Sequence, residues 1–385
     1  MVNELNRATS IGAAIALTVI AMAAFLVLPL YVGAAAEQLA LSQQQLGFLA
    51  AAVATGTAVS SVVMMFLVRK LPWRRMGAVA LLLMLVPMIM SLWVETALTF
   101  MALQALAALG GGSLYSLALT ALADSRHPDR AFGFSVAAQV AFQVLGMLLL
   151  PGLVSRAGID GVLGVFIALE LLGLLLVRAL PDAGKPLSPV MGPAAIVSLP
   201  VLLALAGCFF FFFNIGAVWA YLERMAVLAG FEAQQIGAGL AIGVALGIPG
   251  ALLASWCGDR FGRLGPLTIG AVGTVGALLL LGQGMSFPVY VLAVALYNFV
   301  WNFSLAFQYA AVNAVDHGGR GVAAAPAFHG AGAAAGPALV AFYVTESSLA
   351  AVNIAAGVAV VASLLFFIAA ILLAGRSAMV AGRPG

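Results

Sequence analysis

Charge is scarce in this chain. Only 8% of its 385 residues are Asp, Glu, Lys or Arg, against about 25% in an ordinary soluble domain, and so little polarity cannot clothe a soluble globule. Cysteine is nearly missing too: Cys208 lies inside an apolar run and Cys257 at the end of another, which implies neither a disulfide framework nor a metal cluster. There are three histidines and no Gly-Lys-Ser/Thr phosphate cradle, so nothing points to ATP chemistry. No cofactor, metal or nucleic-acid partner is expected.

What remains is hydrocarbon, with 64% of the residues hydrophobic. A bilayer core about 30 Å thick needs roughly 20 apolar residues per helical crossing. Such runs fall near 10–35, 45–68, 76–94, 99–123, 131–154 and 162–177, then 196–222, 236–256, 266–285, 287–313, 322–344 and 350–374. The first run exceeds a signal-peptide core of about 7–15 residues and reads as a retained span. The fold expected is an all-α membrane protein with 12 transmembrane helices in two pseudo-symmetric six-helix bundles.

Lysine and arginine orient it, because they are retained beside the cytoplasmic face. With both termini cytoplasmic, 14 of the 16 fall inside, including Arg69, Lys70, Arg74 and Arg75, while Arg156 and Arg224 fall outside. The longest polar break, "RALPDAGKPLSPVMGP" from Arg178, holds four prolines, which disfavour continuous helix. It divides the chain into a bundle over 1–177, a cytoplasmic linker over 178–195 and a second bundle over 196–385 with a short cytoplasmic tail. The expected setting is the cytoplasmic (inner) membrane, and the expected state a monomer.

The halves match without gaps at an offset of 190 residues. Tyr31 meets Tyr221, "QQLG" from Gln44 meets "QQIG" from Gln234, His127 meets His317, Arg130 meets Arg320 and Gly146 meets Gly336. Duplicated bundles serve alternating access in transporters. In the stretch "SWCGDRFGRLG", Gly258, Asp259, Arg260, Gly262 and Arg263 form a shortened version of the loop motif G-x-x-x-D-R-x-G-R-R, and here the chain resembles the major facilitator superfamily. That resemblance implies a secondary transporter whose spans one, four, seven and ten surround a cavity.

The same resemblance gives the loop a gating role. A carboxylate at a helix C-terminus is unfavourable without a partner, and Arg130, opening the fifth span in the repeat register, is the partner expected for Asp259, with Arg260 and Arg263 beside it. The twin loop departs from the motif: Arg69 stands where the acid should be, followed by Lys70, Leu71 and Pro72. Its four basic residues are expected to meet anionic lipid headgroups.

The tenth span, "YNFVWNFSLAFQYAAVN", carries the densest polarity. Asn298, Trp301, Asn302 and Tyr309 recur at helical steps, with Gln308 adjacent, and amides in hydrocarbon should look inward. A neutral, hydroxylated or aromatic solute suits such a face. Asn214 and Tyr221 from span seven, Gln104 and Tyr115 from span four beside a flexible Gly110–Gly112, Tyr31 from span one, and Gln139 and Gln143 from span five complete the expected binding set. Helix packing through the same amides is the alternative.

His329, opposite Gln139 in the repeat, and Glu170, the one acid near the middle of a span, are candidate proton-coupling residues. The function expected is proton-coupled efflux of a small organic solute, with uptake by a symporter or facilitator as the alternative. An intramembrane enzyme, which needs a nucleophile with its base or a metal, is the different-class alternative and is not expected. The Gly-Pro stretch that the resemblance associates with antiporters is matched poorly in span five and better, but displaced, by "GAGAAAGP" of span eleven, whose small residues close packing explains.

The charge bias predicts that a fluorescent protein fused to the C-terminus will fluoresce in cells, whereas alkaline phosphatase at the same point will be inactive. The reverse pattern would overturn the orientation.

Overall fold

The computed structural model describes residues 7–183, 198–258, 260–316 and 320–381. In hydrocarbon each backbone N–H and C=O needs an internal partner, and a helix supplies one for all but its ends. The first half accordingly folds as α1 (Ala8–Leu26), α2 (Leu28–Gln38), α3 (Gln43–Leu67), α4 (Trp73–Ser91), α5 (Ala97–Ala123) and α6 (Pro128–Leu176), closed by a 3-10 turn at Val177–Ala179. The second comprises α7 (Leu199–Leu228), α8 (Ala233–Ala245), α9 (Gly247–Cys257), α10 (Leu264–Leu280), α11 (Phe287–Val315), α12 (Arg320–Val340) and α13 (Ala350–Ala381). The chain divides into two compact units, Met1–Met191 and Gly192–Gly385.

Two spans expected as single helices are broken, and two expected as separate are joined. Span one breaks at Val27 (φ −110°, ψ 20°), where Pro29 in the first turn of α2 cannot continue the ladder. Span eight breaks at Leu246, three residues before Pro249. Spans five and six run together in α6, which at about 1.5 Å per residue would far exceed a bilayer if straight. Gly158 (φ 58°, ψ −150°) divides it into two limbs. Gln38 Oε1 accepts the Ile159 N–H at 2.8 Å there, and any Cβ at 158 would meet that side chain. Among the described residues, with the two parts of spans one and eight each taken together and α6 divided at Gly158, the helices number 12.

The internal duplication is visible in the backbone. α3 and α8 start at Gln43 and Ala233, α5 and α11 at Ala97 and Phe287, both pairs at the offset read from sequence, while α4 and α10 differ from it by one residue. Even the caps repeat. Ser42 and Gln45 bond each other's backbone N–H at 3.2 and 3.0 Å, and Glu232 with Gln235 forms the same reciprocal box. Neighbours repeat too: α5 packs on α1, α3 and α4, and α11 on α7, on α8 with α9, and on α10.

Glycine governs these contacts, because lipid gives apolar helices no hydrophobic reason to associate and close van der Waals approach must do it. The Gly110–Gly112 run expected to flex is instead regular helix at the centre of the first unit. Consecutive helical residues point about 100° apart, so the three admit three neighbours: Gly110 meets the Ala80 carbonyl of α4, Gly111 the Ala21 carbonyl of α1, and Gly112 the Thr57 carbonyl and Ser60 hydroxyl of α3. In the second unit Gly332 and Gly336 of α12 lie on the Phe209 and Phe213 carbonyls of α7, and Gly216 of α7 on the Ala333 carbonyl of α12. Close packing is thus the role that "GAGAAAGP" performs.

At the equivalent α3/α5 and α9/α11 crossings the small residue changes sides. Gly112 on α5 faces Thr57 on α3, whereas Gly247 on α9 faces Asn302 on α11. The positions correspond through the repeat.

The loop after α3 is held by its own unit. Arg69 makes a bidentate ion pair with Asp124 at the end of α5, one arm of it Nη2 to Oδ1 at 2.9 Å. Arg74 Nε donates to the Leu180 carbonyl at 2.6 Å and lies 3.7 Å from Asp182. Trp73, buried, donates its Nε1–H to the Val68 carbonyl at 2.7 Å. Of the four basic residues expected to meet headgroups, Lys70 and Arg75 are exposed and make no such tie among the described residues, Arg69 is engaged inside the bundle, and Arg74, though exposed, is tied to Leu180 and Asp182.

A leucine at Gly111 or Gly332 would collide with backbone rather than with a yielding side chain, where overpacking already costs about 1–3 kcal/mol in softer surroundings. Gly111→Leu and Gly332→Leu are expected to lose the monodisperse size-exclusion peak. Gly164→Leu, with nothing within 4 Å, should retain it; equal behaviour of the three would contradict the packing described.

Candidate functional site

The polar face of α11 is divided among its neighbours. Asn298 is 3% exposed, and its Nδ2 donates to the Val294 carbonyl at 2.9 Å; Asn302 repeats the pattern onto the Asn298 carbonyl, also at 2.9 Å. Both amides thus satisfy donors on their own helix one turn back, and Asn302 also lies against Gly247 of α9. Gln308 turns into the bundle. It lines a small crevice with Ser304, Phe211, Leu267 and Ser363, and neither its Nε2 nor its Oε1 finds a hydrogen-bond partner.

Between these edges stands a wall of rings. Trp301 meets Trp219 edge-on at 6.2 Å and Phe212 edge-on at 6.4 Å. Phe212 stacks on the His329 imidazole at 4.0 Å with 21° between planes, and Tyr309 closes the other side of that imidazole edge-on at 5.3 Å. The Tyr309 hydroxyl lies 3.4 Å from His329 Nδ1. His329 Nε2 is buried with no hydrogen-bond partner. Three helices, α7, α11 and α12, build this wall, and the glycine contacts between α7 and α12 set its depth.

The other α7 residues lie behind it. Asn214 is fully buried, and its Oδ1 and carbonyl both accept from the Tyr297 hydroxyl at 3.2 Å. Tyr221 is fully buried. Glu223 and Arg224, near the end of α7, form a buried pair with each other at 2.8 Å.

The first-unit residues fall into two groups. Gln139 donates to the Ser135 carbonyl and hydroxyl at 3.3 and 3.2 Å; Gln143 follows one turn on, half-buried. The second group is deeper: Tyr31, fully buried, packs against Phe166 at 5.5 Å and Phe100 at 6.5 Å, while Gln104 and Glu170, 1% and 2% exposed, line one internal cavity.

The gating residues remain an expectation. Asp259 lies outside the described residues. Arg130 sits over the Phe134 ring at 5.5 Å and Arg260 over Trp256 at 5.4 Å, cation–π contacts of modest strength at exposed sites. Arg263 is exposed beside a crevice lined by Phe261, Leu264 and Phe307.

Sequence reasoning missed Phe212, one of five consecutive phenylalanines whose pattern singles out none. It missed Asp124 as well, since nothing local ties that acid to Arg69, 55 residues earlier.

The model of the Major Facilitator Superfamily matches residues 13–337. A mutant form of the nucleoside transporter NupG has a similar structure (TM-score 0.76, 12% identity, 94% of this chain and 98% of that chain covered). So have a D-xylose-proton symporter (TM-score 0.74, 16% identity, 93% and 96% covered) and a proton-dependent oligopeptide transporter (TM-score 0.73, 14% identity, 95% and 98% covered). At such identities the likeness is one of fold. No curated protein sequence matches the chain significantly.

Proposed function

The chain belongs to the major facilitator superfamily and is a secondary transporter of the membrane, and we propose that it exports a small uncharged solute bearing a planar ring against the entry of protons, by alternating access. The observation that carries this reading is the chain of ring contacts linking Trp219, Trp301, Phe212, His329 and Tyr309, in which Phe212, Trp301 and Tyr309 are half-buried and Trp219, fully buried, backs them. Offset and edge-on ring contacts contribute about 0.5–1.5 kcal/mol each beyond area burial, and such a wall holds a ring without needing charge on it. The hydroxyl of Tyr309 is the group proposed to read the solute's polar edge.

His329 is the proposed proton carrier. Its Nδ1 is turned to Tyr309 and its Nε2 has no partner among the described residues; in the tautomer whose Nδ1–H donates to the Tyr309 oxygen, Nε2 is bare and takes up a proton without breaking that hydrogen bond. Protonation places a cation against the Phe212 face, where the ring quadrupole attracts it. The bilayer proposed is the cytoplasmic membrane, with both termini inside and the protein acting as a monomer. Asp259 with Arg130 is the proposed latch, with Arg260 and Arg263 flanking it.

Uptake is the second reading, because a D-xylose-proton symporter shares the fold. The two differ in the sign of one measurement. A ligand is first found by screening solutes for thermal stabilisation, since binding to the folded state raises apparent stability. In proteoliposomes Trp301→Ala should then cut solute flux by about tenfold or more, as loss of roughly 1.4 kcal/mol would, with unchanged melting temperature; Trp301→Phe should retain most of it. An outward solute gradient should drive protons inward, read by an entrapped pH dye, and His329→Gln should leave solute flux without proton movement. Co-migration would favour uptake, and flux untouched by Trp301→Ala would remove the wall from the site.

A further inference from the structure

The first unit holds a second polar centre that the ring wall does not use. Glu170, in the second limb of α6, is 2% exposed, and its Oε2 has no hydrogen-bond partner. It borders a cavity of about 30 Å³, together with Gln104 of α5, Thr57 of α3 and the last turn of α1 at Ala23 and Ala24. No Lys, Arg or His lines this space. A carboxylate set in hydrocarbon without compensation is strongly unfavourable, and inside a membrane such a residue marks an ion or proton path.

Gln104 and Thr57, which line the cavity with Glu170, keep oxygen lone pairs uncommitted. Ser91 Oγ donates to the Pro87 carbonyl at 2.7 Å, so its proton is committed, and it must accept from Gln104 Nε2, 2.8 Å away. That fixes the amide and leaves Gln104 Oε1 for the cavity. Thr57 likewise gives its proton to the Val53 carbonyl at 3.0 Å, leaving lone pairs on its oxygen. Tyr31 packs edge-on against Phe166, one turn before Glu170, and its buried hydroxyl has no partner. Glu170 and Gln104 make no hydrogen bond to each other; what joins them is the space both line.

The strong donors at this cavity are oxygens, which suit a hard cation; the thioethers of Met22, Met84 and Met88 that also line it are only weak acceptors. A single carboxylate balances a single positive charge, and a divalent ion would leave an excess charge in apolar surroundings. The volume admits a body of about the size of one water, which rules out organic cations. The wall at α1 also ends where span one breaks, and interrupted helices supply backbone oxygen to coupling ions in other transporters. We propose that Glu170, Gln104 and Thr57 form a site for one monovalent metal ion of sodium's size, buried in the first unit.

Binding is measurable without any solute, so this proposal stands or falls apart from the assignment of the ring wall. The test is the melting temperature of the purified protein in sodium chloride against choline chloride at equal ionic strength, at pH 6 and pH 8. Sodium should raise it by roughly 3–6 °C at saturation, more at pH 8, where protons compete less. Glu170→Gln should abolish the difference. Gln104→Leu, which leaves the acid in place, should move the sodium midpoint at least tenfold higher, and Trp301→Ala should leave it unchanged. Identical melting in sodium and choline at both pH values would overturn the proposal and assign Glu170 a permanent proton. A sodium increment that persists in both Glu170→Gln and Gln104→Leu would overturn it by placing the ion elsewhere.

Discussion

A peptide group in lipid must find its hydrogen-bond partner within the protein, and this structure follows from that constraint. It makes every crossing helical, and it makes each interruption local and supported. The break at Val27 is one residue long and the break at Gly158 is capped by Gln38. It also removes the hydrophobic force that assembles soluble bundles, leaving surface fit to do the work. Three adjacent glycines in α5 therefore organise half of a 385-residue chain, each receiving a different helix.

The same constraint sorts the polar side chains. Asn298 and Asn302 turn back to carbonyls of their own helix, and Ser91 and Thr57 do likewise; such groups are quiet. Those that cannot turn back stand out: His329 Nε2, both polar atoms of Gln308, the Tyr31 hydroxyl and Glu170 Oε2. A buried donor or acceptor left unmade costs about 1–3 kcal/mol, so these few atoms, more than the total of polar residues, mark where the protein departs from simple packing.

Crossing number, duplication and family were legible because each rests on long-range regularities: apolar runs, charge sidedness and one offset holding over five spans. The helix starts Gln43 and Ala233, or Ala97 and Phe287, reproduce that offset in space. The site was legible only as an inventory. Trp301, Tyr309 and His329 do come together with Phe212 through ring contacts, whereas Asn302 bonds its own helix and Gln308 turns into the bundle, because a 3.6-residue period gives the arc a side chain occupies and not the neighbour that fills it. Phe212 was hidden in a homopolymeric run, and Arg69 read as a free cation because its acid comes 55 residues later. Gly110–Gly112 was misjudged for a similar reason: composition suggests looseness, while the neighbours that fix those residues are distant in the chain.

The exchanged glycines, Gly112 against Thr57 in one half and Gly247 against Asn302 in the other, bear on how the duplication has aged. After the copies diverged, each crossing kept its clearance but awarded the notch to the opposite partner, so the halves ceased to be spare parts for one another. Exchanging α3 for its descendant α9 would set glycine against glycine at one crossing, leaving a void, and threonine against asparagine at the other, forcing the pair apart. Ancestral symmetry survives in the outline of this protein, whereas its joinery has become private to each half.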